Sequence, residues 1–566
     1  MKRNVWMAGL LLVLSTTTAL AGENFVQAFL NRYRPPQFSV TAAASPQAAD
    51  PSVQTLIREG MLPLRVEDMV RLMLENNLDV RVSRFSPLTS QYLIDAAFRA
   101  FEPTLRINAS VGRSTTPSSS QLDGADAPSQ LSHFYSVGYS QLLNTGSLIS
   151  VDFSVNRNSS NNRFSTFNPS YSGTLTYRLT QPLLRNWGRE ITTRQIRVAQ
   201  NNKSISELQF ESQLIEMVAQ GQQIYWDLVL GQEDLKVRQR SLELAERTLA
   251  DNRRQVQVGT LAPIDVLQAE AEVAGREAQL VTATFSNDQT QDRAKRMITR
   301  LGDPALVFAK LSPIEAVARP SPNDVMPVED AIRYALENRP DMRQLELEMR
   351  NDDIDVKYAR NQLLPVVDIN ASYAQRGVGG VETVRSELGG TEIIDIRRGG
   401  FGDAFEQIYK NSFTGYQVGI AVAIPLSNKA AQSEYSRAMT QKQITEARRA
   451  TLAQRIALEV RNAHSRVEMN RVHIQAAEKA LELARRQLAA EEKKNQLGVS
   501  SIRFVLDEQR NVTAAETTAI QALVNYAKSL VDYDRAIGRT LRKNNIEIDR
   551  EIRIAERESG APPAGK

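Results

Sequence analysis

The sequence predicts a mainly α-helical chain carrying a membrane β-sheet, built from two internal repeats and complete only when several copies assemble. Three observations predict it. One unit recurs in order along the chain, segments of about ten residues alternate apolar and polar side chains behind an export leader, and two long stretches carry an apolar residue every seven positions.

Residues 1–21 read as a secretory leader. Lys2 and Arg3 form a charged start, Val5–Leu14 an apolar core of about ten residues, and Ala19-Leu20-Ala21 a small-residue cleavage site. That core is far shorter than the ~20 residues of a spanning helix, and no other segment has a comparable unbroken apolar run. Export without a spanning helix leaves a periplasmic or extracellular protein, or a β-barrel. Residues 22–63, rich in Ala, Pro, Ser and Gln, are expected to form an extended segment, and the charged residues 544–566 a flexible tail. The 69 Lys+Arg nearly balance the 65 Asp+Glu, for a net charge of +4, which argues against nucleic acid as a partner. Cysteine is absent, so disulfides, thiolate metal sites and cysteine nucleophiles are excluded.

The repeat comes next. Val66-Glu67-Asp68, Arg71, Leu74-Glu75-Asn76 and Asp79 recur 262 positions later as Val328-Glu329-Asp330, Arg333, Leu336-Glu337-Asn338 and Asp341. The same offset still holds where Ile107-Asn108-Ala109-Ser110 meets Ile369-Asn370-Ala371-Ser372. Further on, Leu242–Ala250 matches Leu481–Ala489 at seven of nine positions, 239 apart, and Gly259 then matches Gly498. Collinear matches this widely spaced define two copies of one unit, 64–325 and 326–543. Each copy reads as two short helices, strands, a very long helix, a turn and a second long helix. Val66, Met69, Val70, Met73 and Leu74 give the first helix its apolar face.

The strands alternate cleanly. Leu105, Ile107 and Ala109 face one way; so do Tyr135, Val137 and Tyr139, then Val151, Phe153 and Val155, and then Leu175 and Tyr177. In the second copy Ile369 and Tyr373, then Tyr416, Val418 and Ile420, do the same. A membrane-crossing strand needs ~9–11 residues, apolar outside and polar inside, with aromatics at the interfaces. These apolar residues are therefore expected to face lipid. Residues 114–130, 157–170 and 376–412, rich in Gly, Ser and Asn, are expected to be loops.

From about Arg189 to Val258 there is no proline, about 70 residues and hence ~100 Å of helix. Leu228, Leu235, Leu242, Leu249 and Val256 repeat every seven residues, as do Val467, Ile474, Leu481 and Leu488. That period specifies left-handed supercoiling against partner helices. The chain reverses at Gly259-Thr260 and again at Gly498-Val499, where glycine stops one helix; Pro263 starts the next helix in the first copy.

Sheet edges are not tolerated in hydrocarbon, and closed membrane barrels start at about eight strands. The chain offers four strands on the repeat logic, or six if every alternating segment counts. Neither closes alone, so copies must share one barrel, and a shared tube open through the membrane is a conduit. An enzyme has little to stand on. His464 and His473 are nine apart, and Gly377-Val378-Gly379-Gly380 and Gly399-Gly400-Phe401-Gly402 lack the strand–helix context of a nucleotide loop. No catalytic residue, metal site or cofactor is assigned. The competing reading is a periplasmic coiled-coil structural or adaptor protein without a barrel.

The pattern resembles the TolC-type outer-membrane efflux proteins across nearly all of 64–543. Val66-Glu67-Asp68 with Leu74-Glu75-Asn76-Asn77, the strand exit Gln181-Pro182-Leu183-Leu184, and the hairpin Gly259 to Asp265-Val266-Leu267-Gln268-Ala269-Glu270 carry the resemblance jointly. It implies a homotrimer in the outer membrane, with a twelve-stranded barrel, a large periplasmic α-helical barrel, and hairpin tips (Gly259, Thr260, Gly498, Val499) that dock a periplasmic adaptor and an inner-membrane pump. It implies drug efflux or type I secretion. In the family, carboxylates six and nine residues after the second hairpin's glycine narrow the entrance. Here the ninth is Asp507 and the sixth is Phe504, while the first copy has Asp265 at the sixth. Asn495 and Ser500 replace the family's gate partners, so its locking hydrogen bonds do not carry over. The first copy also has an excess of 19 residues between Ser110 and Pro182, enough for one more hairpin turning at Asn144-Thr145-Gly146-Ser147. Twelve or eighteen wall strands both remain open at this stage.

Overall fold

The computed structural model describes residues 33, 57, 60–118, 124–259, 261–299, 308–317, 319–321, 323–387 and 392–559. The leader, most of the 22–63 segment, Thr260 and residues 560–566 lie outside them. In chain order the elements are β1 (Met61–Leu64), α1 (Val66–Asn76), α2 (Leu78–Ala97), β2 (Thr104–Thr115), β3 (Ser129–Leu142), β4 (Leu148–Ser160), β5 (Phe167–Pro182), α3 (Arg189–Thr192), α4 (Arg194–Gln257), α5 (Pro263–Ile298) and β6 (Lys310–Pro313). The second copy follows with α6 (Val328–Asn338), α7 (Pro340–Gln362), β7 (Val366–Arg385), β8 (Ile393–Arg398), α8 (Phe401–Tyr409), β9 (Phe413–Ala423), α9 (Lys429–Gln496), α10 (Ile502–Ile537), α11 (Thr540–Lys543) and α12 (Ile548–Ser559).

The repeat is written into the element boundaries. Helices α1 and α6 have 11 residues each, and α5 and α10 have 36 each. The two longest helices have 64 and 68 residues, so each runs on the order of 100 Å at 1.5 Å per residue. The first starts at Arg194, five residues later than expected, because α3 and a break at Thr193 precede it.

The chain forms two compact units, each drawing on both copies. One comprises 89–209 and 333–458 and contains the large sheet. Its strands run β2-β3-β4-β5-β7-β8 in order, with β9 also on β7, all antiparallel. The extra hairpin of the first copy turns at Asn144–Ser147, with Gly146 at φ 95, and its strands β3 and β4 lie inside the sheet. Strands reach further than the composition predicts. β4 runs to Ser160, β5 starts at Phe167 and β7 continues to Arg385, so much of 157–170 and 376–412 is sheet or helix rather than loop. Asn, Ser and Gly are weak strand formers, but ladder hydrogen bonds with a neighbouring strand outweigh that local preference.

The other unit comprises the described parts of 1–88, 210–332 and 459–566. Parallel β1 and β6 put Leu62, Leu64 and Leu311 against Met69, Leu72, Tyr225, Leu228 and Ile298. The seven-residue stripe is only partly covered within one chain. Leu228, Val467 and Ile474 are buried, whereas Leu235, Leu242, Leu249 and Leu481 are half-buried. A stripe left in that state is what partner helices complete. Residues 548–559, expected to be part of a flexible tail, form α12 instead. Ile548 and Ile552 pack on Val70, Met73, Phe210 and Leu214, and the Glu551 carboxylate pairs with the buried Arg84 guanidinium. The charge of this segment is real, but an apolar pair four residues apart and one buried ion pair order it.

Candidate functional site

The sheet has two chemically distinct faces, and register decides which residue lies on which. On one face Leu105 opposes Tyr139, Ile107 opposes Val137 and Ala109 opposes Tyr135. Those three tyrosine and valine positions in turn oppose Val151, Phe153 and Val155 on β4. The row continues through Tyr177 and Leu175 on β5, Tyr373 on β7 and Tyr416 on β9. Ile369 opposes Ile420, and Ala371 opposes Val418. All ten residues expected on the apolar side, Tyr135, Val137, Tyr139, Leu175, Tyr177, Ile369, Tyr373, Tyr416, Val418 and Ile420, therefore share one face. Much of it is open: Tyr416 is 86% exposed, and Val418 and Ile420 are each 69% exposed. An exposed apolar surface spanning six strands is not what a water-facing sheet carries.

The opposite face is polar. Thr104 opposes Ser140, Asn108 opposes Ser136 and Thr180 opposes Asn370, each pair joined by a side-chain hydrogen bond. Arg106, Asp152, Arg178, Asp368 and Arg376 share that face. The alternation in the sequence already sets Arg106, Asp152 and Arg178 opposite the apolar residues; Asp368 and Arg376 were not singled out, although their parity along β7 was available to find them. At the two ends of the sheet, β2 and β9 each pair on one edge only among the described residues, and both are exposed along nearly their whole length.

In the helical unit the two hairpin tips are built alike. Gly259 has φ 78 and Gly498 φ 74, a left-handed conformation that ends each long helix without a Cβ penalty. The Gly259 and Gly498 N–H groups donate to Val256 O and Asn495 O at 3.0 and 2.9 Å. Val258, Ile264, Leu267 and Val499 stand exposed around the turns. In the second tip Asn495 Nδ2 donates to Ser500 O at 2.9 Å, and the Ser500 hydroxyl donates to the Glu491 carboxylate. That hydroxyl and then the Lys494 ammonium hold the Glu491 carboxyl below the usual range. The sequence flagged Asn495 and Ser500 as departures; it did not show that they clasp their own turn through Glu491.

Three residues were expected near a constriction. Phe504 is 57% exposed on the first turn of α10. Asp507, one turn on, forms an ion pair with Arg510, whose Nε also lies 3.6 Å from Glu272 Oε2 of α5. Asp265 sits in the first turn of α5, half-exposed. Asp507 is thus a carboxylate with a cation beside it rather than a bare charge.

A family model described as outer membrane efflux protein matches residues 139–298 and 331–539. Strand β2 and most of β3 fall outside that match. No curated protein matches the chain. Among solved structures, the Campylobacter jejuni CmeC outer membrane channel is 15% identical, with 94% of this chain and 97% of that one covered at a TM-score of 0.59. The outer membrane protein VceC of Vibrio cholerae is 14% identical over 84% and 96%, at 0.58. The open state of the Neisseria gonorrhoeae MtrE outer membrane channel is 17% identical over 90% and 96%, at 0.55. At these identities the likeness is one of fold.

Proposed function

Because the chain belongs to the outer membrane efflux protein family, we propose that it is the outer-membrane channel of a tripartite efflux or type I secretion system. It is a passive conduit from the periplasm and an inner-membrane pump to the exterior. One observation carries this reading: a continuous sheet of six wall-length strands, β2-β3-β4-β5-β7-β9, with one apolar face and, among the described residues, an open edge on the strand at each end.

Six strands are fewer than the ~8 a closed membrane barrel needs, so each edge must find the opposite edge of another copy. The geometry allows it. Six is even, so β9 of one copy meets β2 of the next in the antiparallel sense, and the two have 11 and 12 residues. A homotrimer then has an eighteen-stranded wall. With strands ~4.8 Å apart and tilted ~40°, eighteen give a diameter of about 36 Å against about 24 Å for twelve. The apolar face meets outer-membrane lipid, and Arg106, Asp152, Arg178, Asp368 and Arg376 line the lumen.

At the periplasmic end, the tips around Gly259, Thr260, Gly498 and Val499 meet the adaptor, with exposed Val258, Ile264, Leu267 and Val499 as the apolar part of that contact. Phe504, Asp507 and Asp265 narrow the entrance as a mixed apolar and acidic constriction. Imaging the purified particle tests the reading: threefold symmetry and a wall near 36 Å across support it. A sealed monomer, or release of the protein from membranes by salt and carbonate, refutes the channel; a twelve-stranded wall refutes only the strand count.

A further inference from the structure

Helix α8 lies on the apolar face of the sheet. It links β8 to β9 and packs on β7 between the stretch paired with β8, from Val381 on, and the stretch paired with β9, up to Arg376. Its seat is made by glycines at positions where the alternation calls for apolar side chains. A Cβ at Gly377 would lie 1.9 Å from Ala404 O, one at Gly379 2.3 Å from Gly400 O, and one at Gly173 2.8 Å from Ile408 Cδ1. Ala404 and Ile408 are buried there, and Phe405 meets Phe153 of the apolar face edge to face, centroids 6.4 Å apart. Polar contacts fix the seat. Gln407 Oε1 accepts from Val378 N and its Nε2 donates to Val378 O, both at 3.0 Å, filling the gap in the ladder. Asn411 Oδ1 accepts from Tyr373 Oη at 2.8 Å and from Gln375 Nε2 at 2.9 Å.

Outward the helix shows an aromatic stripe beside a polar one, where Asp403 and Glu406 are exposed and Glu406 pairs with Lys410. Phe401, Phe405 and Tyr409 recur every four residues, the first two rings 6.1 Å apart, with Phe405 50% and Tyr409 84% exposed. Its depth follows from β9, whose 11 residues are one full membrane crossing and which begins at Phe413, just after the helix. The helix therefore lies at the end of the crossing opposite to α9. Beside it on the apolar face is a cation–π pair, the Arg157 guanidinium 5.9 Å over the Tyr171 ring centroid.

We infer that α8 is an interfacial helix seated on the lipid side of the wall at its outer end, with Phe401, Phe405 and Tyr409 in the headgroup–acyl boundary and membrane lipid as their partner. The inference rests on the channel reading, which turns the apolar face to lipid. Aromatic rings on an amphipathic helix partition to that boundary, ~5–10 Å deep. Lipid rather than a second copy is favoured by position, because α8 overlies β5 and β7 while the seam lies beyond β9.

The absence of cysteine makes the test direct. Phe405→Cys and Tyr409→Cys, with Val418→Cys and Gly419→Cys as wall and lumen references, are labelled with an environment-sensitive fluorophore and the full-length protein is reconstituted in lipid vesicles. The expected result is that labels at 405 and 409 are quenched about twofold more by lipid carrying a doxyl group near the headgroup than at the chain end, the reverse of Val418. Labels at 405 and 409 that respond only to aqueous iodide, or to neither quencher, while Val418 still responds to doxyl lipid, overturn the assignment in favour of water or a neighbouring copy. If Val418 responds like Gly419, the lipid-facing reading itself falls.

Discussion

Arginine substituted at adjacent positions of β9 distinguishes the two faces of the wall. Val418 is the sixth of the 11 residues of β9, so the proposed channel sets it at the middle of the crossing, on the apolar face opposite Ala371 and 69% exposed. Gly419 points the other way, opposite Asn370, and a Cβ there meets nothing within 4 Å. Val418→Arg puts a cation at the bilayer midplane, at ~2–4 kcal/mol per copy, whereas a lumen position costs little. At 1.4 kcal/mol per decade, that is about 30- to 700-fold in the assembly equilibrium for each copy. Three copies in one barrel multiply the effect, enough to abolish assembly. The assay is the fraction of chain recovered as heat-modifiable, unboiled oligomer from outer membranes. Val418→Arg should leave almost none and Gly419→Arg close to the unsubstituted amount. Equal tolerance at both positions, or the reverse order, would refute the assignment of faces.

Four further outcomes are expected. Asp507→Asn should lower cation preference in single-channel recordings and Arg510→Gln should raise it, because Arg510 offsets the Asp507 charge; unchanged selectivity in both would remove the pair from the constriction. Gly377→Ala should displace α8 and cost about 1–3 kcal/mol of stability, read as a lower Tm, since backbone rather than a flexible side chain stands 1.9 Å from the new Cβ. Glu551→Gln should destabilise by about 3–5 kcal/mol by leaving Arg84 buried without its partner charge; a Tm change within error would mean the C-terminal helix is not docked. The Glu491 carboxyl is held below its usual value, so its clasp on Ser500 persists above the ordinary glutamate range, near 4.3, and is lost as pH falls through the lower folded value. A spin label at Val499→Cys should gain mobility in that acid range, and Glu491→Gln should remove the transition; an identical transition in both would put its origin elsewhere.

The parts legible in the sequence are those with a local cause. Offsets of 262 and 239 foresaw helices of matched length because duplication copies boundaries along with residues. Alternation placed ten residues on one face because a strand's period of two leaves no other choice. The Asp507–Arg510 pair is also local, three residues apart on one helix, and was open to being read. What escaped depends on distant chain. Glu551 finds Arg84 467 positions away, and no composition of the tail announces it. Glycine shows the division most sharply. Gly146, Gly259 and Gly498 have positive φ and end a strand or helix, a role that needs only their immediate neighbours. Gly377 and Gly379 sit in extended backbone, so their lack of a side chain has a steric cause, the helix 22 or more residues further on. Read alone, Gly377–Gly380 looks like a loop. Set in the alternation, Gly173 and Gly377 fall on the apolar parity of two strands that prove to be registered partners. Paired absences of this kind on an otherwise apolar face indicate that protein, not lipid, covers it there.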